Sequence, residues 1–296
     1  MSQIKKVICH VVAAPVQKPF TSSRGWIYKT RGSCIIEIET NDGIVGWGEC
    51  YGPSAVAKAF IDTQFGPRII GRDPFDVEVI WEDLYNRIKD YGTTGMAISA
   101  ISGIDIALWD IIGKSCGKPI HKLIGGSYRD EVTAYATGLY FIDMNRLIEE
   151  AVEEAIEFKQ NGFTAIKMKI GLGDLKLDIR RVEAVRKAVG DEMRLMVDAN
   201  QAWDLPTAIK NIQSIEEFNL GWIEEPIRAD NSITHWQELS RTCTVRLAAG
   251  ENMGSEHAFK EAIASKVFGV IQPDIAKWGG ISGCLPIIHS LNLHGI

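Results

Sequence analysis

Residues 165–171 have the sequence Ala-Ile-Lys-Met-Lys-Ile-Gly, a short apolar segment that carries two lysines. Side chains alternate between the faces of a strand, so Lys167 and Lys169 share one face and the apolar residues share the other. An amphipathic segment follows at residues 178–189, as in a strand–helix unit of a parallel sheet. We therefore expect helices to cover the apolar face and both amines to enter the interior of the fold.

Similar units repeat along the second half of the chain. The predicted strands are residues 132–137, 165–170, 195–198, 222–224, 246–249 and 268–272. Their starts differ by 33, 30, 27, 24 and 22 residues, which is the spacing of strand–helix units around a parallel sheet. Consecutive units of this kind indicate a TIM-type α/β barrel, which closes with eight strands. The sequence provides six, so we expect the barrel to lack its last strands.

The first part of the chain has a different pattern. Strands are predicted at residues 4–13, 33–40 and 44–49, with a hairpin turn at Asn41-Asp42-Gly43. Helical segments follow at residues 54–65, 75–89 and 94–114. We therefore expect two domains, an α+β domain in residues 1–130 and a partial barrel in residues 131–296.

Composition excludes several classes of protein. The chain has 296 residues, 46% hydrophobic and 24% charged, with a net charge of −6. These values argue against disorder and coiled coils and against a surface that binds nucleic acid or an anionic membrane. We expect no apolar run long enough to span a membrane. The six cysteines form no CxxC pair, so we expect reduced thiols and a cytoplasmic protein.

Acidic residues stand where the predicted barrel strands end, which is where TIM barrels carry their active sites. Asp198, Glu224 and Glu251 end three successive strands. Asp274 and Asn200 lie at similar positions, and Asn200 is a candidate substrate-binding residue. Three converging carboxylates would repel one another without a cation, and oxygen ligands on rigid strands suit Mg²⁺. Together with the two lysines, these three carboxylates have a net charge of −1. The ligand positions of the metal that they do not fill would be available to a substrate carboxylate.

The lysine pair suggests a base. An amine base must be neutral, yet an unperturbed lysine has a pKa of about 10.4. A second ammonium about 4 to 6 Å away contributes roughly 3 to 4 kcal/mol at an effective dielectric of about 20. Lys167 therefore supplies a large part of the pKa shift that Lys169 needs.

Several motifs resemble the enolase superfamily, in its mandelate racemase and muconate lactonizing enzyme branch. They are Asp42-Gly-Ile-Val-Gly-Trp-Gly-Glu49, Ser102-Gly-Ile-Asp-Ile-Ala-Leu-Trp-Asp110, Ala165-Ile-Lys-Met-Lys-Ile-Gly171, Val197-Asp-Ala-Asn200, Trp222-Ile-Glu-Glu-Pro226 and Gly250-Glu-Asn252. The resemblance implies a capping α+β domain on a modified (β/α)7β barrel. It also implies Mg²⁺ on Asp198, Glu224 and Glu251. Lys169 would abstract the proton α to a carboxylate, and Lys167 would tune Lys169.

Asp274 favours the mandelate racemase subgroup, in which an aspartate here pairs with a histidine from the seventh strand. The sequence departs from that pattern because no such histidine follows. His289 and His294 lie on or after the last predicted helix, where we expect them to be surface residues. Asp274 is therefore a candidate catalytic residue without its expected partner.

Substrate recognition is assigned from two further motifs. Gly46-Trp-Gly-Glu-Cys-Tyr-Gly-Pro53 and Ala134-Tyr-Ala-Thr-Gly138 resemble acid-sugar dehydratases and sugar-lactone cycloisomerases. We expect a loop at residues 19–31 to close over the site through Arg24, Trp26 and Tyr28, with an ordinary exposed loop as the alternative.

The expected activity is Mg²⁺-dependent α-proton abstraction from a sugar acid by a homo-oligomeric enzyme, leading to dehydration. Cycloisomerisation and racemisation are alternatives within the same chemistry. A Schiff-base aldolase would also place a lysine on a barrel strand, although it does not need three acids. A noncatalytic fragment or binding protein is the remaining alternative.

Overall fold

The computed structural model describes residues 2–296. Its first sheet is antiparallel, in the order β1 (Ile4–Thr21), β2 (Ile27–Thr40) and β3 (Val45–Cys50). The turn between β2 and β3 is the predicted one, and Gly43 has a φ of 87° there, which side chains with a β-carbon rarely adopt. The hydroxyl of Thr40 bonds to the carbonyl of Ile44 at 3.0 Å and closes this turn.

The prediction of a loop at residues 19–31 is wrong for most of that segment. β1 and β2 continue as a long hairpin with Phe20 opposite Tyr28 and Thr21 opposite Ile27, so only residues 22–26 form the turn. The rings of Phe20 and Tyr28 stack at 5.1 Å, which stabilises the pairing. The outer arms are largely exposed on both faces, so they lack the alternation that identifies a half-buried strand.

Helices cover this sheet. They are α1 (Ser54–Phe60), a π-helical turn (Ile61–Phe65), α2 (Gly66–Ile69), α3 (Val77–Ile88), α4 (Met96–Cys116) and α5 (Ile120–Leu123). α4 has 21 residues and contains an 18-residue window with a mean hydropathy of 1.5, so it is long and apolar enough to span a membrane. The expectation that no such segment exists is therefore wrong. However, 78% of its apolar window is buried inside the protein, and α4 is the core helix behind β3.

The second sheet is parallel, with six strands in sequence order among residues 2–296. They are β4 (Ala136–Gly138), β5 (Ala165–Lys169), β6 (Arg194–Asp198), β7 (Leu220–Glu224), β8 (Leu247–Ala249) and β9 (Val270–Ile271). The helices are α6 (Leu147–Gln160), α7 (Leu175–Val189), α8 (Leu205–Gln213), α9 (Ile233–Thr242), α10 (Glu256–Ser265) and α11 (Gly280–His294), with a 3₁₀ turn at Glu216–Phe218. The predicted fold class, an α+β cap with a TIM-barrel-like sheet that has six of its strands, is confirmed.

The two sheets are joined by specific contacts. Trp81 of α3 donates its indole N–H to the carbonyl of Gly279 at 2.7 Å, and Ser99 of α4 donates to the carbonyl of Ala276 at 2.9 Å. Thr21, at the end of β1, pairs with Phe141 after β4. The long hairpin is thereby held against the carboxyl end of the parallel sheet. The proposed domain boundary at residue 130 lies between α5 and β4.

Candidate active site

A row of charged side chains crosses three neighbouring strands. The register pairs Lys169 with Asp198 and Asp198 with Glu224, so the residues lie side by side at the strand ends. Lys167 and Lys169 are 7% and 6% exposed, and Asp198 and Glu224 are each 1% exposed. Both amines therefore lie inside the barrel, while Ile166 and its apolar neighbours on β5 are buried in the core.

Ion pairs satisfy this buried charge. The Lys167 ammonium lies 2.7 Å from Glu224 Oε1 and 3.7 Å from Asp198 Oδ2, and Lys169 pairs with Asp198. Glu224 also accepts hydrogen bonds from Gln272 at 2.9 Å and from Trp222 at 3.3 Å. Two carboxylates of the expected metal set thus already share one cation.

The same contacts control the lysine pKa values. Burial alone would lower both, but Glu224 and Asp198 raise the pKa of Lys167, and Asp198 raises the pKa of Lys169. The neighbouring Lys167 charge acts in the expected direction by lowering the pKa of Lys169. Without a metal the carboxylates outweigh it, so both lysines are ammonium ions in this state.

The backbone of Lys169 is held in position by an arginine that the sequence did not suggest. Arg181 of α7 is fully buried and donates to the carbonyls of Lys169 at 2.6 Å and Leu139 at 2.9 Å. Burial lowers the pKa of Arg181 to about 10, which leaves it protonated at neutral pH. The buried face of α7 carries Asp178 and Arg186 as well as valines, so no clear pattern in the sequence set Arg181 apart.

Glu225 is a second residue that the sequence did not single out. It is fully buried, with a φ of 39°, and it accepts two hydrogen bonds from Asn252 at 2.9 and 2.8 Å. Burial and the charge of Glu251 raise its pKa to about 8. Glu225 therefore lies close to Glu251, which follows β8.

A cavity of about 560 Å³ opens above this row. Of the candidate residues, it is lined by Lys169, Asn200, Glu251, Asp274, Arg24, Trp26 and Tyr28. Lys167, Asp198 and Glu224 lie beneath it. The lining also includes residues not singled out in advance, namely Arg31, Tyr51, Tyr140, Gln201 and Lys277. His289 and His294 are exposed on α11, away from this lining.

The expected metal ligands are carboxylates, which suit Mg²⁺, but their oxygens do not converge on one point in this structure. Within residues 2–296, no three acidic, histidine or cysteine side chains converge closely enough to hold an ion. The reason is local, because lysines hold Asp198 and Glu224, while Glu251 Oε1 lies 4.0 Å from Lys277. Carboxylate oxygens on neighbouring strand ends are nevertheless the ligands that Mg²⁺ prefers.

Comparison with known proteins places the chain in a family. Residues 4–125 match the mandelate racemase/muconate lactonizing enzyme N-terminal domain, and residues 150–296 match the enolase C-terminal domain-like family. The chain belongs to the mandelate racemase/muconate lactonizing enzyme family. The resemblance drawn from the motifs is confirmed, and family members similar to this chain are dehydratases, cycloisomerases and racemases.

Relatives within this family differ in activity. The chain is 36% identical to D-galactarolactone cycloisomerase from Agrobacterium fabrum, over 99% of this chain and 77% of that protein. It is 38% identical to L-talarate/galactarate dehydratase from Salmonella typhimurium, over 88% of this chain and 65% of that protein. A racemase from Streptomyces coelicolor solved with bound magnesium has a TM-score of 0.93 at 32% identity, over 99% of this chain and 82% of that one.

Proposed function

We propose that the protein is a Mg²⁺-dependent enzyme that removes the proton α to the carboxylate of a sugar acid and then dehydrates it. The observation that carries the proposal is Lys169, a buried amine in the floor of a polar cavity beside a row of acids. The family relationship supports the same chemistry, because its members named above include a dehydratase of a sugar diacid.

Lys169 is the proposed base. Its Nζ faces the cavity, and Arg181 fixes the strand end that carries it. Lys167 lies beneath the cavity and disfavours the ammonium form of Lys169 through its own charge. When Asp198, Glu224 and Glu251 hold Mg²⁺, the ion supplies positive charge against the negative charge that develops on the substrate carboxylate.

The later step of the proposed dehydration needs an acid. The α C–H bond breaks, its electron pair forms a carbon–carbon double bond, and the neighbouring hydroxyl leaves as water after it takes a proton. Asp274 lines the cavity and accepts a hydrogen bond from the Ala276 N–H at 2.8 Å. We assign Asp274 to proton transfer in this step.

Cycloisomerisation is the second candidate, because the match to D-galactarolactone cycloisomerase covers 99% of this chain. Racemisation starts from the same proton abstraction. Schiff-base aldol chemistry does not need the acids that surround both lysines. Borohydride treatment with a sugar acid should therefore leave no covalent adduct.

The unpaired state of all six cysteines supports a cytoplasmic location, and the expected homo-oligomer stays a prediction.

Hydrogen–deuterium exchange tests the proposal. In D₂O with Mg²⁺, Lys169→Ala should abolish exchange of the substrate α-proton, a loss of at least about 100-fold for removal of the base. Lys167→Ala should slow exchange but retain some of it, because the base is still present. The matched control is Lys187→Ala, an exposed lysine of α7, which should exchange like the unaltered protein. Exchange that persists in Lys169→Ala would remove Lys169 from the mechanism.

A further inference from the structure

Two guanidinium groups line the cavity on the side formed by the long hairpin. The Arg31 guanidinium lies 5.2 Å from the centre of the Phe20 ring and 4.7 Å from that of Tyr28. Arg24 lies 4.8 Å from the Trp26 ring. The arginine–acid pairs within residues 2–296 involve Arg68, Arg72, Arg146 and Arg228 instead. The positive charge on the hairpin wall is therefore not neutralised by the described part of the chain.

The acids of the cavity have partners elsewhere. Glu225 accepts two hydrogen bonds from Asn252, Asp274 accepts one from a backbone N–H, and Glu251 lies 3.2 Å from Asn252. The two guanidinium groups thus do not serve to balance the acids of the site. Their N–H donors remain available to a ligand.

Arg31 is held at a defined position relative to the proposed base. Phe20, on which Arg31 lies, contacts Tyr140 with 4.4 Å between ring centres. Tyr140 in turn lies 5.2 Å from the Lys169 ammonium. Two aromatic rings therefore separate the guanidinium from the base, and stacking orients the guanidinium while leaving its planar edge free for bidentate bonding to a carboxylate.

With Mg²⁺ bound at the acid row, the cavity would consequently have positive charge at two separated places. One lies at the lysine and acid row, where the reacting carboxylate binds under the proposed function, and the other lies on the hairpin. A ligand with an anionic group at only one end would leave the second charge unused. We propose that the substrate is a sugar dicarboxylate whose distal carboxylate is bound by Arg31, with Arg24 beside it. This inference rests on the proposed function.

Calorimetry with the full chain and Mg²⁺ tests the inference. The ligands are galactarate with its monocarboxylate galactonate, and glucarate with gluconate. We expect the diacid of at least one pair to bind about 10- to 100-fold more tightly than its monoacid, the range for a hydrogen-bonded charge pair. Arg31→Met should remove that difference while monoacid affinity stays within about threefold. Lys29→Met, an exposed lysine of the same strand that does not line the cavity, is the matched control.

Other binding results would overturn either the inference or the proposed function. Equal binding of diacid and monoacid, or a diacid preference that survives Arg31→Met, would overturn the inference and leave the proposed function intact. Tighter binding of galactonate 6-phosphate than of galactarate would also overturn it, since the subsite would then select phosphate. Failure of all four sugar acids to bind would overturn the proposed function itself. Unchanged monoacid affinity in Arg31→Met serves as the check that the variant is folded.

Discussion

Glu224 has three polar partners, Lys167, Trp222 and Gln272, around one carboxylate. Glu224→Gln keeps the shape and removes one of three anionic ligands, so Mg²⁺ affinity measured by calorimetry should fall at least about tenfold. Glu238→Gln, on an exposed face of α9, should bind Mg²⁺ normally. Unchanged affinity in the Glu224 variant would locate the metal elsewhere.

Asp105 of α4 should make stability depend on pH. It accepts a hydrogen bond from the Ser282 N–H at 3.0 Å, while its Oδ1 is buried without a partner in residues 2–296. Burial raises its pKa from 3.8 to about 7. The folded state thus favours the protonated acid, and its contribution is present below about pH 4 and lost as pH rises towards 7.

Asp105→Asn removes this titration. Relative to the unaltered protein, the variant should gain up to roughly 4 kcal/mol in the free energy of unfolding between pH 4 and pH 8. Urea unfolding at both pH values measures the difference. The same pH dependence in both proteins would show that Asp105 is ionised in the folded state.

Some residues that line the cavity could be predicted from the sequence and others could not. Lys169 ends a strand, and Asn200, Glu251 and Asp274 follow strands with clear apolar patterns, so their positions along the chain were enough to predict that they lie at the site. Arg31 and Tyr140 line the cavity because a hairpin from one sheet reaches the other. Such a long-range contact leaves no local pattern in the sequence.

At the level of elements, β3 and α4 pack at unusually close range. A β-carbon on Gly48 would overlap the carbonyl oxygen of Gly103 on α4. Gly48→Ala should therefore lower the free energy of unfolding by about 1 to 3 kcal/mol. Gly32, in β2 of the same sheet, has its nearest neighbour at 3.4 Å, the carbonyl of Val12. Gly32→Ala should change stability by less than about 1 kcal/mol. Equal effects in urea unfolding would contradict the close packing.

The central elements were predictable and the outer ones were not. β5 to β8 each contain at least three quarters of the residues predicted for them, because strands buried on both faces form continuous apolar runs. β4 was predicted from residue 132 but begins at Ala136, and β9 has only Val270 and Ile271. These two strands lie at the edges of the sheet, where hydrogen bonding on one side limits their length.

For the whole molecule, the contacts between the sheets predict cooperative unfolding. Trp81→Phe leaves the Gly279 carbonyl without its indole donor and should lower the free energy of unfolding by about 1 to 3 kcal/mol. Unfolding should stay a single transition in which circular dichroism and fluorescence coincide. Trp47→Phe, a change at a 46% exposed side chain, should have little effect. Two separate transitions in the unaltered protein would show independent domains.

The division of the cavity between two sheets has an evolutionary consequence. Ser22 and Ser23 are buried, and the Ser23 hydroxyl donates to the Asp198 carbonyl at 3.4 Å, so the base of the turn is tied to the barrel. Residues 24–26 are exposed. Replacement or lengthening of these three residues would alter ligand choice without moving Lys169 or the acid row. New specificities can thus arise through small insertions at the hairpin tip while the inherited chemistry is conserved.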